Sequence, residues 1–107
     1  MVIVRLMNYY FMKLNSPRPT FPGDMTPEER QMMMEHGAYW MEQIKRGKAL
    51  VIGPVADPKG AFGLGILRVE DPAELAVLTA NDPAIRANMG FTSEWHPMPR
   101  VLLPEGW

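Results

Sequence analysis

Between Met25 and Pro54 the chain reads MTPEERQMMMEHGAYWMEQIKRGKALVIGP, a segment holding a complete helix start, a helix stop and the entry to a strand. Thr26 is placed as a cap, Pro27 occupies the first helical position, and Glu29 falls three residues after the cap. That is a capping box, in which two side chains satisfy backbone donors that a helix end otherwise leaves orphaned. The helix is expected to run to about Arg46. Lys45, Arg46 and Lys48 complement the negative end of its dipole, and Gly47 supplies a left-handed stop. Met33, Gly37, Trp40, Met41 and Ile44 recur at three- and four-residue spacing and mark the stripe predicted to be buried, with His36 at its border.

A helix this long needs a partner surface, and the remainder of the chain reads as short strands that can supply one. Met1 to Met12 is rich in β-branched and aromatic residues and predicts a strand covered on both faces, interrupted by Arg5 and Asn8. Those two either line a wet cavity or sit near a strand end. Asn15 to Asp24, with three prolines and a glycine, is a loop; Arg18 and Phe21 on it either cover a ligand or lie on the surface. Ala49 to Val55 and Ala61 to Val69 form a hairpin around Ala56-Asp57-Pro58-Lys59-Gly60. Asp71-Pro72-Ala73-Glu74 repeats the helix-start logic, with Asp71 as cap and Leu75, Leu78 and Thr79 as the buried side. Asn81-Asp82-Pro83 starts another helical turn ending near Gly90. Phe91 to His96 is a last strand, and the apolar Val101-Leu102-Leu103 in the tail is expected to dock. The order strand, helix, strand, strand, helix, strand is the split βαβ arrangement of ferredoxin-like α+β domains with an antiparallel sheet. Helices cover one face of such a sheet, so an apolar other face calls for a second subunit.

The 107 residues fit one domain, 1–107, and a formal charge of −1 leaves no footprint for phosphate contacts, so no nucleic-acid partner is expected. No apolar run approaches the roughly 20 residues that span a bilayer, and the amino terminus lacks a signal-peptide pattern. No membrane partner and a cytoplasmic location are therefore expected. The absence of cysteine excludes thiolate zinc sites and cysteine nucleophiles.

With His36, the Gly-x-x-x-x-x-Gly-Pro from Gly47 to Pro54, the strand Gly60 to Gly65, Asp71-Pro72-Ala73-Glu74, Asn81-Asp82-Pro83 and a closing strand with Pro97, nearly the whole chain resembles the YCII-related family. The resemblance implies a dimeric α+β barrel: a homodimer whose sheets face each other, with a histidine and an acidic partner in a cleft near each first helix. It also implies chemistry on small organic acids, as in chloromuconolactone dehalogenation. Where many relatives have an acidic residue before the helix-ending glycine, this chain has Lys45 and Arg46.

A histidine oriented by a carboxylate can take and return a proton near neutral pH. His36 is the candidate catalytic residue, weighed against a structural histidine bonded at the helix border. Asp82, in the Asp-Pro turn, is its candidate catalytic partner and equally a helix cap. Asp57, in the hairpin loop, is a second acid at the site, and Glu35 projects elsewhere around the helix. Tyr10, Trp40 and Phe62 are candidate ligand walls or core residues, and Arg5 is a candidate cation for an acidic substrate. His96 before Pro97 has no metal-ligand spacing with His36, so no metal and no cofactor are expected. Two functional readings stand. One is an enzyme using His36 as general acid or base in elimination or isomerisation of an organic acid or lactone; the other is a non-catalytic module that binds a small ligand.

Overall fold

The computed structural model describes residues 6–107. Alternation carries the central strand β1, Asn8–Asn15: Met12 and Leu14 point inward and are buried, whereas Phe11 and Lys13, alternating with them, face the other side. The strand expected over Met1 to Met12 is thus displaced toward the carboxyl end. Its first five residues lie outside the described ones, Leu6 is exposed, and the ladder extends past Met12 because partners continue opposite Lys13, Leu14 and Asn15 on both sides. Asn8 takes the strand-end reading, its Nδ2 donating to the Glu70 carbonyl at 2.9 Å.

The main helix α1 is Pro27–Lys45, with both bonds of the Thr26/Glu29 capping box formed and Gly47 in the left-handed region at φ 74°. Strands β2 (Ala49–Val55) and β3 (Phe62–Val69) make the hairpin. Helices α2 (Ala73–Ala80) and α3 (Pro83–Arg86) follow, and β4 (Thr92–Pro97) closes the described sheet. The order β2-β3-β1-β4, with all three pairings antiparallel, is ferredoxin-like α+β topology. Among the described residues no helix is long and apolar enough to cross a membrane.

Helices lie on one face. There Met12, Trp40, Ala49, Leu67, Val69, Leu75 and Leu78 form one core cluster, and Leu14, Phe21, Met32, Ala84 and Phe91 form a second. Cross-strand register puts Phe11, Val51, Phe62, Leu64 and Ile66 on the opposite face, which no described helix covers.

Three expectations are corrected. Asp71 does not cap α2 in the usual position: the cap is Pro72, and Asp71 Oδ1 accepts from the Ala73 amide at 2.9 Å one step earlier. Glu74 keeps a hydrogen bond from the Asp71 backbone and in addition pairs with Lys48. Leu102 is 93% exposed, so the tail's apolar run does not dock as a whole. Phe21 is neither a free lid nor a surface residue: it is buried edge-to-face against Phe91 at 5.1 Å between ring centres.

The loop carrying Phe21 is held by Arg18. Its guanidinium donates twice to Glu29, at 2.7 and 2.8 Å, and also to both Asp24 carboxylate oxygens. Hydrogen bonding from Arg18 lowers Glu29 from its ordinary 4.5 to about 2 and Asp24 from 3.8 to about 2. A carboxylate depressed in the folded state contributes stability above its ordinary value and loses it as pH falls toward the depressed one. The Glu29 side chain is only 6% exposed against 48% for Asp24, so solvent screens the Asp24 pair more and Glu29 carries most of the effect. Urea unfolding at stepped pH should therefore show stability declining between about 4.5 and about 2. Glu29→Gln, which keeps a box-competent residue at that position, should flatten the decline. Equal slopes in the two proteins would remove Glu29 from the acid response.

Candidate active site

One turn of α1 and the start of α3 meet through a buried carboxylate. Asp82 caps α3, Oδ1 accepting from the Ala84 amide at 2.9 Å, and its residue is 1% exposed. The same Oδ1 lies 2.7 Å from His36 Nδ1, and Oδ2 accepts from Trp40 Nε1 at 2.9 Å. His36 and Trp40 are four apart on α1 and therefore share a face, which lets one acid engage both. A carboxylate offers no proton, so Nδ1 is the donor, leaving Nε2 as the unprotonated nitrogen of the neutral ring. Beside this group Tyr39 packs edge-to-face on Trp40 and donates its hydroxyl to the Leu78 carbonyl at 2.7 Å. Burial, followed by the nearby Asp82 charge, pushes the Tyr39 phenol above its usual range.

His36, its side chain 12% exposed, lines a cavity of about 440 Å³ between α1 and the helix-covered face of the sheet. Met12 and Leu14 of β1, Met33 and Met41 of α1, Ile52 of β2 and Phe21 of the loop are on its wall. The predicted buried stripe divides accordingly. Trp40 is in the core, whereas Gly37 and Met41 are exposed residues on the cavity wall. Helical periodicity identifies an apolar face, but not whether packed side chains or an open cleft lie against it.

The remaining candidates separate. Trp40 and Phe62 both border the cavity, but the register turns the Phe62 side chain to the opposite sheet face, where its ring lies 4.7 Å from Lys13 Nζ. Tyr10 is not on the wall; it packs against the first core cluster. Asp57 is not there either: it is exposed in the hairpin turn, where Oδ1 accepts from the Lys59 amide at 2.9 Å, the ordinary Asx-turn use of the residue. Arg5 lies outside the described residues. Glu35 is exposed, and His96 is exposed on β4, stacked on Phe11.

Sequence reasoning passed over Ser16, Met25 and Phe91 as wall residues. Ser16 sits in no nucleophile pattern, and its hydroxyl is occupied, donating to the Ala61 carbonyl at 2.6 Å. No local signal marks such residues, because two connecting segments from distant parts of the chain, between β1 and α1 and just before β4, bring them together.

No curated protein matches the chain. A family model described as YCII-related domain matches residues 7–98, which takes in every strand and helix of the described residues and both members of the His36–Asp82 pair. With that match spanning most of its length, the chain belongs to the YCII-related family.

Proposed function

We propose that this chain, read as one domain over 1–107, is a small-molecule enzyme in which His36 is the general acid and base and Asp82 its orienting partner. The observation that carries the reading is the 2.7 Å contact between His36 Nδ1 and a buried Asp82 that is itself held by Trp40 and Ala84, on the wall of a cavity. Such a pair fixes the tautomer and stabilises the imidazolium that forms when Nε2 takes a proton. A proton next to a carbonyl is the natural target. Nε2 removes it, and the electron pair is held as the enolate. The proton then returns at another carbon for isomerisation, or a neighbouring leaving group departs for elimination. The substrate class is a small organic acid or lactone, no cofactor enters the step, and the cytoplasm is the proposed location. Incubating the protein with candidate carbonyl compounds in D2O tests the reading by NMR: deuterium should enter next to the carbonyl faster than in buffer. No acceleration over buffer across neutral lactones and organic acids would remove the proton-transfer role.

The apolar wall also favours a second reading, a module that binds without turnover. It predicts a melting temperature that rises with ligand concentration, as mass action requires, and no exchange.

The partner of this proposal is a second copy of the chain, packed on the uncovered sheet face that carries Phe11, Val51, Leu64 and Ile66. Light scattering should give twice the 12.1 kDa chain mass. Ile66→Asp should return it to one chain mass, since an unpaired carboxylate cannot be buried cheaply at an interface centre. A single-chain mass for the unaltered protein at micromolar concentration would refute the dimer.

A further inference from the structure

We infer that the ligand of this cavity is a predominantly apolar, uncharged carbonyl compound rather than a carboxylate, and that Gly37 is the position that admits it. The inference rests on the reading of the cavity as the functional site. Among the described residues no Lys, Arg, Asp or Glu side chain lines it; the polar side chains on its wall are Ser16, His36 and Trp40. The Ser16 hydroxyl already donates to the Ala61 carbonyl, and the Trp40 indole N–H to Asp82. That leaves His36 as the polar contact with capacity to spare. A carboxylate placed beside the neutral ring would lose its water with no lysine or arginine among the described residues to meet it, and would face the unprotonated Nε2 and, across the ring, the Asp82 charge. A neutral ring with one carbonyl avoids both costs and covers the Met12, Met33 and Met41 thioethers, which adapt to irregular apolar shapes.

Gly37 is the second observation. It lies in the interior of α1, where glycine is less favourable than alanine, and a Cβ built there meets nothing within 4 Å. The fold therefore does not require it. The sheet glycines differ: a Cβ at Gly65 would come within 2.9 Å of Met12 Cε and Ile52 Cδ1, and one at Gly63 within 3.1 Å of Leu14 Cβ. Those two serve packing. Gly37 instead keeps open the stretch of wall between Met33 and Met41, each one turn away on the same helix face and next to His36.

The test uses one skeleton in two charge states, γ-phenyl-γ-butyrolactone and its ring-opened form γ-hydroxy-γ-phenylbutyrate, titrated at neutral pH by thermal shift and calorimetry. The lactone should bind at least about 100-fold more tightly than the hydroxy acid, reflecting the charge that the acid must bury unpaired. Gly37→Ala should melt higher by on the order of 4 °C and bind the lactone more weakly. Gly37→Leu, with helix content checked by circular dichroism, should weaken it by at least about tenfold. Equal binding of the two forms, no binding of either, or lactone binding unchanged in both Gly37 variants would overturn the inference. The catalytic reading fails separately. Lactone binding that is blocked by Gly37→Leu but accompanied by no proton exchange sustains this inference without the enzyme, whereas exchange on acids and lactones alike sustains the enzyme and overturns the inference.

Discussion

Replacing Asp82 by alanine should lower stability by about 2–4 kcal/mol, the sum of a lost helix cap and a buried indole N–H left without an acceptor. The carboxylate accepts from the Ala84 amide, Trp40 Nε1 and His36 Nδ1 at once, and Trp40 is 1% exposed, so water cannot replace what the substitution removes. For a domain of this size the loss corresponds to a fall in melting temperature on the order of 10–25 °C. Asp82→Asn is the informative companion. Its amide retains one acceptor oxygen, so it should lose about 1–2 kcal/mol; its nitrogen, however, only donates and so accepts from none of the three partners. Thermal melts of the two variants beside the unaltered protein check the order. An Asp82→Ala protein melting within about 3 °C of the original would mean that the three-donor arrangement does not tie α3 to α1.

That network shows where local sequence stops being informative. The Thr26/Glu29 box, the Gly47 stop and the bounds of β2 are set by neighbours within a few residues, and each was readable from the residue types alone. Asp82 was readable as a cap for the same reason. Its contacts with His36 and Trp40 join positions 46 and 42 residues away, which no spacing rule within one helix can supply. Glu74 shows the same limit: its bond from the Asp71 backbone is local, but the ion pair with Lys48, 26 residues earlier, is one that no local pattern announces. Asp57 likewise had the right chemistry for a site and is used in its own turn. Phe21 was ambiguous because a proline-rich loop reads as surface, yet its ring found Phe91 from the other end of the chain. The overall topology survived these errors because it depends on the order and type of elements, which turn residues and alternation encode redundantly.

His36→Gln should reduce proton transfer by about 10²- to 10⁴-fold, the usual contribution of a positioned acid or base. Glutamine is close in reach, and its amide can still donate to Asp82, so the network around Trp40 and Ala84 should persist and the melting temperature should fall by much less than in Asp82→Ala. What glutamine lacks is a nitrogen that exchanges a proton near neutral pH. The expected signature is therefore a split: deuterium incorporation nearly abolished while binding of the same compound, read by calorimetry, stays within about tenfold. Asp82→Asn should give an intermediate loss of exchange, because an amide nitrogen facing Nδ1 favours the opposite tautomer and places the proton on the nitrogen that must act as base. Nitrogen chemical shifts of the His36 ring, told apart from those of His96 with the His36→Gln protein, measure that tautomer directly. If His36→Gln exchanges as fast as the unaltered protein, the histidine is a strut between α1 and α3; if it loses binding and exchange together, His36 acts by holding the ligand and not by moving its proton.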